Sequence, residues 1–102
     1  MEKNAKVVIV GGGVVGCSIL YHLAKFGLKD CILLERNELT SGSSWHAAGN
    51  VHVISSDPNI SRMMAYTIGL YKDIEKESGH STGFKPSGGF YLASNEVWAE
   101  YL

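Results

Sequence analysis

Gly11-Gly12-Gly13-Val14-Val15-Gly16 follows the aliphatic run Val7-Val8-Ile9-Val10 and opens a stretch with helical apolar spacing. Glycines in a G-x-G-x-x-G pattern between a strand and a helix restrict the fold more than any other feature of this chain. They join the two elements by a turn that side chains obstruct, and they leave the backbone open to a phosphate. Gly11 permits the tight turn, Gly13 lets a diphosphate approach the backbone, and Gly16 lets the helix pack closely. The N–H groups around Val14 and Val15 are expected to point at that diphosphate, assisted by the helix dipole.

The elements around the motif agree with it. Residues 6–10 form a valine-rich buried strand. Val14 to Phe26 reads as a helix with an apolar face at Ile19, Leu20, Leu23, Ala24 and Phe26, ended by Gly27. Cys31 to Leu34 is a second strand, so strand, helix and strand make a βαβ unit. Both cysteines, Cys17 and Cys31, are expected as small buried hydrophobes, since they lack the spacing of a metal or redox pair. From Arg36 to Asp57 the chain is rich in Ser, Gly and Asn. It reads as a loop, a short helix near Ser43 to Ala48, and an irregular piece through Val53. Asp57 caps and Pro58 opens a helix whose apolar face recurs at Ile60, Met64, Ile68, Tyr71 and Ile74, ending at Gly79. Phe84-Lys85 and Gly89 to Ala93 read as two short strands, and Asn95 caps a last helix.

The fold class is therefore α/β, the start of a Rossmann-like dinucleotide-binding domain over residues 1–80. Residues 81–102 are expected to begin a substrate domain. A single βαβ unit exposes strand edges and much of a sheet face, so the chain is expected to be an N-terminal fragment of a longer protein. Nine basic against ten acidic residues give a formal charge of −1, which supplies no electrostatic attraction for nucleic acid or an anionic membrane. The longest aliphatic run is far too short to span a bilayer. The first strand begins so soon after Met1 that no leader peptide is expected ahead of it. The cytosol is the expected compartment, with the mitochondrial matrix the alternative for a chain whose transit peptide has been removed.

Glu35 lies 19 residues after Gly16, at the end of the second strand. There its carboxylate can accept hydrogen bonds from the hydroxyls of an adenosine ribose, which argues against a 2′-phosphate. Arg36 either flanks the adenine or is simply solvated. The fingerprint itself does not separate FAD from NAD, because both present the same ADP moiety.

The residues after Glu35 do separate them. Glu35 to Gly49 reads ERNELTSGSSWHAAG, and with the VVIVGGGVVG start and the PSGGFYLA segment it closely resembles the dimethylglycine dehydrogenase and sarcosine dehydrogenase family of D-amino-acid-oxidase-like flavoproteins. The resemblance covers essentially the whole chain and is most specific at Leu39-Thr40 and Ser43 to Gly49. It implies a flavoprotein whose FAD is joined covalently, through the flavin 8α carbon, to the histidine of the Trp-His-Ala-Ala-Gly motif, here His46. It also implies that Gly42, Ser43, Ser44, Trp45, Ala47, Ala48 and Gly49 line the cofactor. On this reading the backbone of Ser43 and Ser44 meets the diphosphate and ribityl chain, and Trp45 packs nearby. Eleven residues separate Glu35 from His46, which an extended chain would cover in at most about 40 Å.

The implied reaction is hydride transfer from an N-methyl carbon of a methylated glycine to FAD, giving an imine that water or tetrahydrofolate resolves. The partner is then a small N-methylated amino acid, and the folate-binding part lies outside these residues. No catalytic acid or base is assigned among residues 1–102. Two alternatives remain at this level. One is a non-catalytic protein like the pyruvate dehydrogenase phosphatase regulatory subunit; the other is an NAD-dependent dehydrogenase, which leaves His46 and its flanks without a role. His22, His52 and His80 have no mutual metal-ligand spacing.

Overall fold

The strand ahead of the glycine run spans Val7–Val10 (β1) in the computed structural model, which describes residues 4–102. Lys6 is not part of it: the Lys6 and Val7 N–H groups both donate to the Asp30 carbonyl, at 3.0 and 3.2 Å. Helix α1 (Val14–Lys25) and strand β2 (Cys31–Leu34) come next. The strands pair in parallel, with Val7 opposite Cys31 and Val10 opposite Leu34, which makes the expected βαβ unit. Phe26 caps α1, and Gly27 at φ 86° adopts the left-handed conformation that closes helices.

Ile9 is the one hydrophobic side chain buried among the described residues, at 8% exposure. Alternation along the strand sends Val8 and Val10 to the other face, where they are exposed. The helix face read as apolar is only partly covered. Leu20 and Leu23 are half-buried, but Ile19, Ala24 and Phe26 are exposed. Cys17 and Cys31 are likewise half-buried rather than core residues. Each thiol lies 3.5 Å from a backbone carbonyl, that of Gly12 and of Leu28 respectively, contacts a purely apolar site would not offer.

The chain divides into two compact units, the first ending at Gly49 and the second starting at Asn50. In the second unit, helix α2 (Pro58–Ser78) carries the caps expected of it. The Asp57 carboxylate accepts the Asn59 and Ile60 N–H groups at 2.6 and 3.3 Å, and Gly79 closes the helix at φ 70°. Met64, Ile68, Tyr71 and Ile74 are half-buried along one face, and the Phe84 ring stacks on Tyr71 with centroids 5.5 Å apart. The Glu75 carboxylate draws the chain beyond the helix back, accepting the Thr82 N–H at 2.8 Å and its hydroxyl at 2.9 Å. Helix α3 (Glu96–Tyr101) is capped by the Asn95 side chain, which accepts the Trp98 N–H at 3.0 Å.

Three expected elements do not form. Phe84-Lys85 and Gly89 to Ala93 are irregular rather than strands, with Phe90 and Leu92 almost wholly exposed. A strand exists through a partner's hydrogen bonds, and among the described residues only β1 and β2 pair. The segment near Ser43 to Ala48 is a run of turns through His46 instead of a short helix. Among the described residues, no helix is long and apolar enough to cross a membrane.

Candidate functional site

The glycine run turns at the carboxyl ends of both strands. Gly11 sits at φ 104°, a left-handed conformation that side chains resist, and donates its N–H to the Leu34 carbonyl at 2.8 Å. At Gly16 the reason for glycine is space. A Cβ there would overlap the Gly11 carbonyl oxygen and touch Ile9, so α1 packs directly onto the turn that precedes it.

Glu35 leaves the end of β2 and clasps this turn. One carboxylate oxygen accepts the Gly12 N–H at 2.7 Å, and the other accepts the Asn37 N–H at 2.9 Å. Those two backbone bonds, the Gly12 one foremost, hold its carboxyl below the usual glutamate range. An ionised carboxylate has about four acceptor positions, so the clasp leaves capacity for ligand hydroxyls.

The loop after Glu35 folds over the same turn. The Thr40 N–H donates to the Gly12 carbonyl at 2.9 Å, and the Leu39 side chain covers Gly12. Thr40 itself is held at φ 65°. For a β-branched residue that conformation costs on the order of 1–2 kcal/mol and persists only where surrounding contacts impose it. Further along, the Ser44 hydroxyl accepts the Val14 N–H at 2.9 Å. The helix donor expected to meet a phosphate therefore meets a serine oxygen, whose own proton remains to be donated.

From Thr40 the chain closes on itself in short steps. The Trp45 N–H donates to the Thr40 and Gly42 carbonyls at 3.1 and 3.2 Å, and the His46 N–H donates to that of Ser43 at 3.1 Å. Trp45 is 77% exposed, so its ring does not pack within the described structure. His46 is exposed too, with Nδ1 3.1 Å from the Gly42 carbonyl oxygen. A carbonyl only accepts, so that bond places the neutral ring's proton on Nδ1 and leaves the lone pair on Nε2. His22 and His80 make the same kind of bond, from Nδ1 to the nearby Ser18 and Ser78 carbonyls at 2.7 and 2.9 Å.

Between the clasp and the loop lies a cavity of about 380 Å³. Of the residues singled out in the sequence, Gly13, Glu35, Arg36, Gly42, Ser43 and Ser44 line it. Gly11, Val14, Val15 and Gly16 belong to the turn and helix behind it, while Trp45, His46, Ala47, Ala48 and Gly49 lie beyond its lining. Asn37, Thr40 and Ser41 also line it and were not among the candidates read from the sequence. Their signal was the run of small polar residues after the acid. The cavity's volume suits part of a dinucleotide rather than all of it. Hydroxyl donors beside a helix N-terminus and an acceptor carboxylate opposite match a diphosphate and a ribose. Among the described residues no cluster of three His, Cys, Asp or Glu is placed to hold a metal.

A sequence model of the FAD dependent oxidoreductase family matches residues 6–102. Mitochondrial dimethylglycine dehydrogenase of Homo sapiens is 46% identical over 96 residues, covering 94% of this chain and 11% of that protein. Mitochondrial sarcosine dehydrogenase of Mus musculus is 41% identical over 97 residues, covering 94% and 11%. The mitochondrial pyruvate dehydrogenase phosphatase regulatory subunit of Mus musculus is 38% identical over 96 residues, again covering 94% and 11%. The chain thus spans about a tenth of the length of these curated relatives.

Proposed function

The chain belongs to the FAD dependent oxidoreductase family, and from that premise we propose that its full-length protein oxidises the N-methyl group of dimethylglycine or sarcosine. The observation that carries this reading is the loop after Glu35. It is fastened to the glycine turn at Gly12 and Val14 and bears an exposed histidine whose Nδ1 bond to the Gly42 carbonyl leaves the Nε2 lone pair unused. Similarity to dehydrogenases named for those two amines supplies the substrate class.

In this assignment Gly11, Gly13, Val14, Val15 and Gly16 shape the turn against which the diphosphate rests. Glu35 accepts the adenosine ribose hydroxyls while it braces Gly12, and Arg36 borders the adenine. Gly42, Ser43 and Ser44 meet the diphosphate and ribityl chain. Trp45, Ala47, Ala48 and Gly49 run along the cofactor toward its ring, and His46 Nε2 is the atom joined to the 8α carbon. Bound FAD supplies the hydride acceptor, and an electron-withdrawing imidazole on its 8α carbon raises its reduction potential. Residues 1–80 form the first part of the FAD domain and 81–102 the beginning of the substrate domain. The mitochondrial names of the relatives favour the matrix over the cytosol.

Similarity to a phosphatase regulatory subunit keeps a second reading in view, a flavoprotein fold without turnover. Anaerobic mixing of the full-length holoprotein with dimethylglycine and with sarcosine separates the two. Loss of the oxidised flavin absorbance with either amine is the expected result. A flavin that neither amine reduces overturns the enzyme reading and leaves the regulator.

A further inference from the structure

We propose that Ser44 is a positioning residue for the joining of His46 to the flavin, acting through its hydrogen bond to the Val14 N–H; the proposal rests on covalent attachment at His46. The turn that carries His46 is fastened to the glycine run at two points. Upstream, the Thr40 N–H donates to the Gly12 carbonyl at 2.9 Å; downstream, the Ser44 hydroxyl accepts the Val14 N–H at 2.9 Å. The second tie joins residues thirty apart in sequence and lies two residues before His46.

Between these ties the turn is held by its own short closures, and His46 takes its orientation from them through the Gly42 and Ser43 carbonyls. Thr40 opposes the arrangement. Its left-handed φ of 65° favours relaxation to another conformation once either tie is lost. Ser44 therefore keeps the downstream end, and with it Nε2, at a set distance from the helix N-terminus. The hydroxyl need not leave when the cofactor arrives. It accepts from Val14 through one lone pair and still donates its proton to a phosphate oxygen.

Joining forms the Nε2–C8α bond. One methyl hydrogen of the flavin and the imidazole Nδ1 proton leave as protons, and the two electrons released pass into the flavin ring. Dioxygen then removes them as hydrogen peroxide. Attack by a nitrogen on a carbon depends steeply on placement, and a displacement of about 1 Å can slow such a step on the order of a hundredfold.

The test uses full-length apoprotein mixed with FAD, raised until the rate of acid-stable flavin formation no longer increases, so that affinity drops out. Ser44→Ala is expected to join flavin about ten- to a hundredfold more slowly than wild type, and Ser44→Thr, which keeps the acceptor, within about threefold of it. Amide hydrogen exchange at Val14 in the apoprotein is expected to quicken in Ser44→Ala and not in Ser44→Thr. Should Ser44→Ala fail to fold, Ser44→Cys, whose thiol accepts weakly, makes the same comparison. A wild-type rate in the variant lacking the acceptor, or a Thr variant as slow as Ala, overturns the proposal. Wild-type protein that binds FAD without any acid-stable flavin overturns the covalent reading and this inference with it. Normal joining in wild type with no effect of Ser44 removes this inference alone.

Discussion

At Glu35 a single carboxylate serves the fold itself, because its two oxygens take the N–H groups of Gly12 and Asn37. Glutamine keeps one acceptor oxygen and turns an NH₂ group toward the other donor. Glu35→Gln is therefore expected to weaken reversible FAD binding by the full-length apoprotein about tenfold, read from flavin fluorescence quenching at short times. The same bonds give a pH dependence with a definite sign. They lower the folded-state pKa below the ordinary 4.5, so the ionised clasp stabilises the protein fully above that value. As the pH falls through the lower folded-state pKa, that contribution is lost. Thermal midpoints of wild type and Glu35→Gln should accordingly differ most near neutrality and converge in acid. A gap that widens in acid contradicts the clasp. Gly12 shows what spacing alone cannot reveal at this scale. The fingerprint marks Gly11, Gly13 and Gly16, yet the clasp and the loop both attach to the unmarked glycine between them.

The elements that were legible in the sequence are those whose ends are written in local chemistry. Asp57, Pro58 and Gly79 bound α2, and Asn95 opens α3, because a side-chain acceptor or a left-handed glycine acts within a few residues of itself. Replacing Asp57 by alanine removes the acceptor for Asn59 and Ile60, a loss of about 1 kcal/mol, so exchange of the first-turn amides should rise roughly fivefold. Unchanged exchange there contradicts the cap. Elements that depend on distant partners were less legible. The alternation of Phe90 and Leu92 has strand period, but nothing among the described residues pairs with it. The stretch near Ser43 to Ala48 reads in sequence as a short helix, whereas Ser44 spends its hydroxyl on Val14, thirty residues away. A long-range side-chain bond of this kind leaves no periodic trace, and the backbone N–H groups by which Thr40 and Asn37 join the site leave none either, because every residue type but proline carries one.

On the scale of the whole molecule, the first unit gathers the glycine turn, the acid and the histidine-bearing loop between β1 and Gly49. The remaining unit holds a capped helix onto which the following chain returns, tied at Glu75 by Thr82 and stacked at Tyr71 by Phe84. The family match runs across both, from residue 6 to residue 102. The central claim is that the loop after Glu35 carries FAD on His46. Denaturing the full-length holoprotein, digesting it and weighing the peptide that contains His46 tests it most directly. The predicted result is a peptide heavier than its sequence by one FAD less two hydrogens, fluorescent as a flavin, and fragmenting at His46. Unmodified His46 peptide, with all of the flavin released on denaturation, contradicts it.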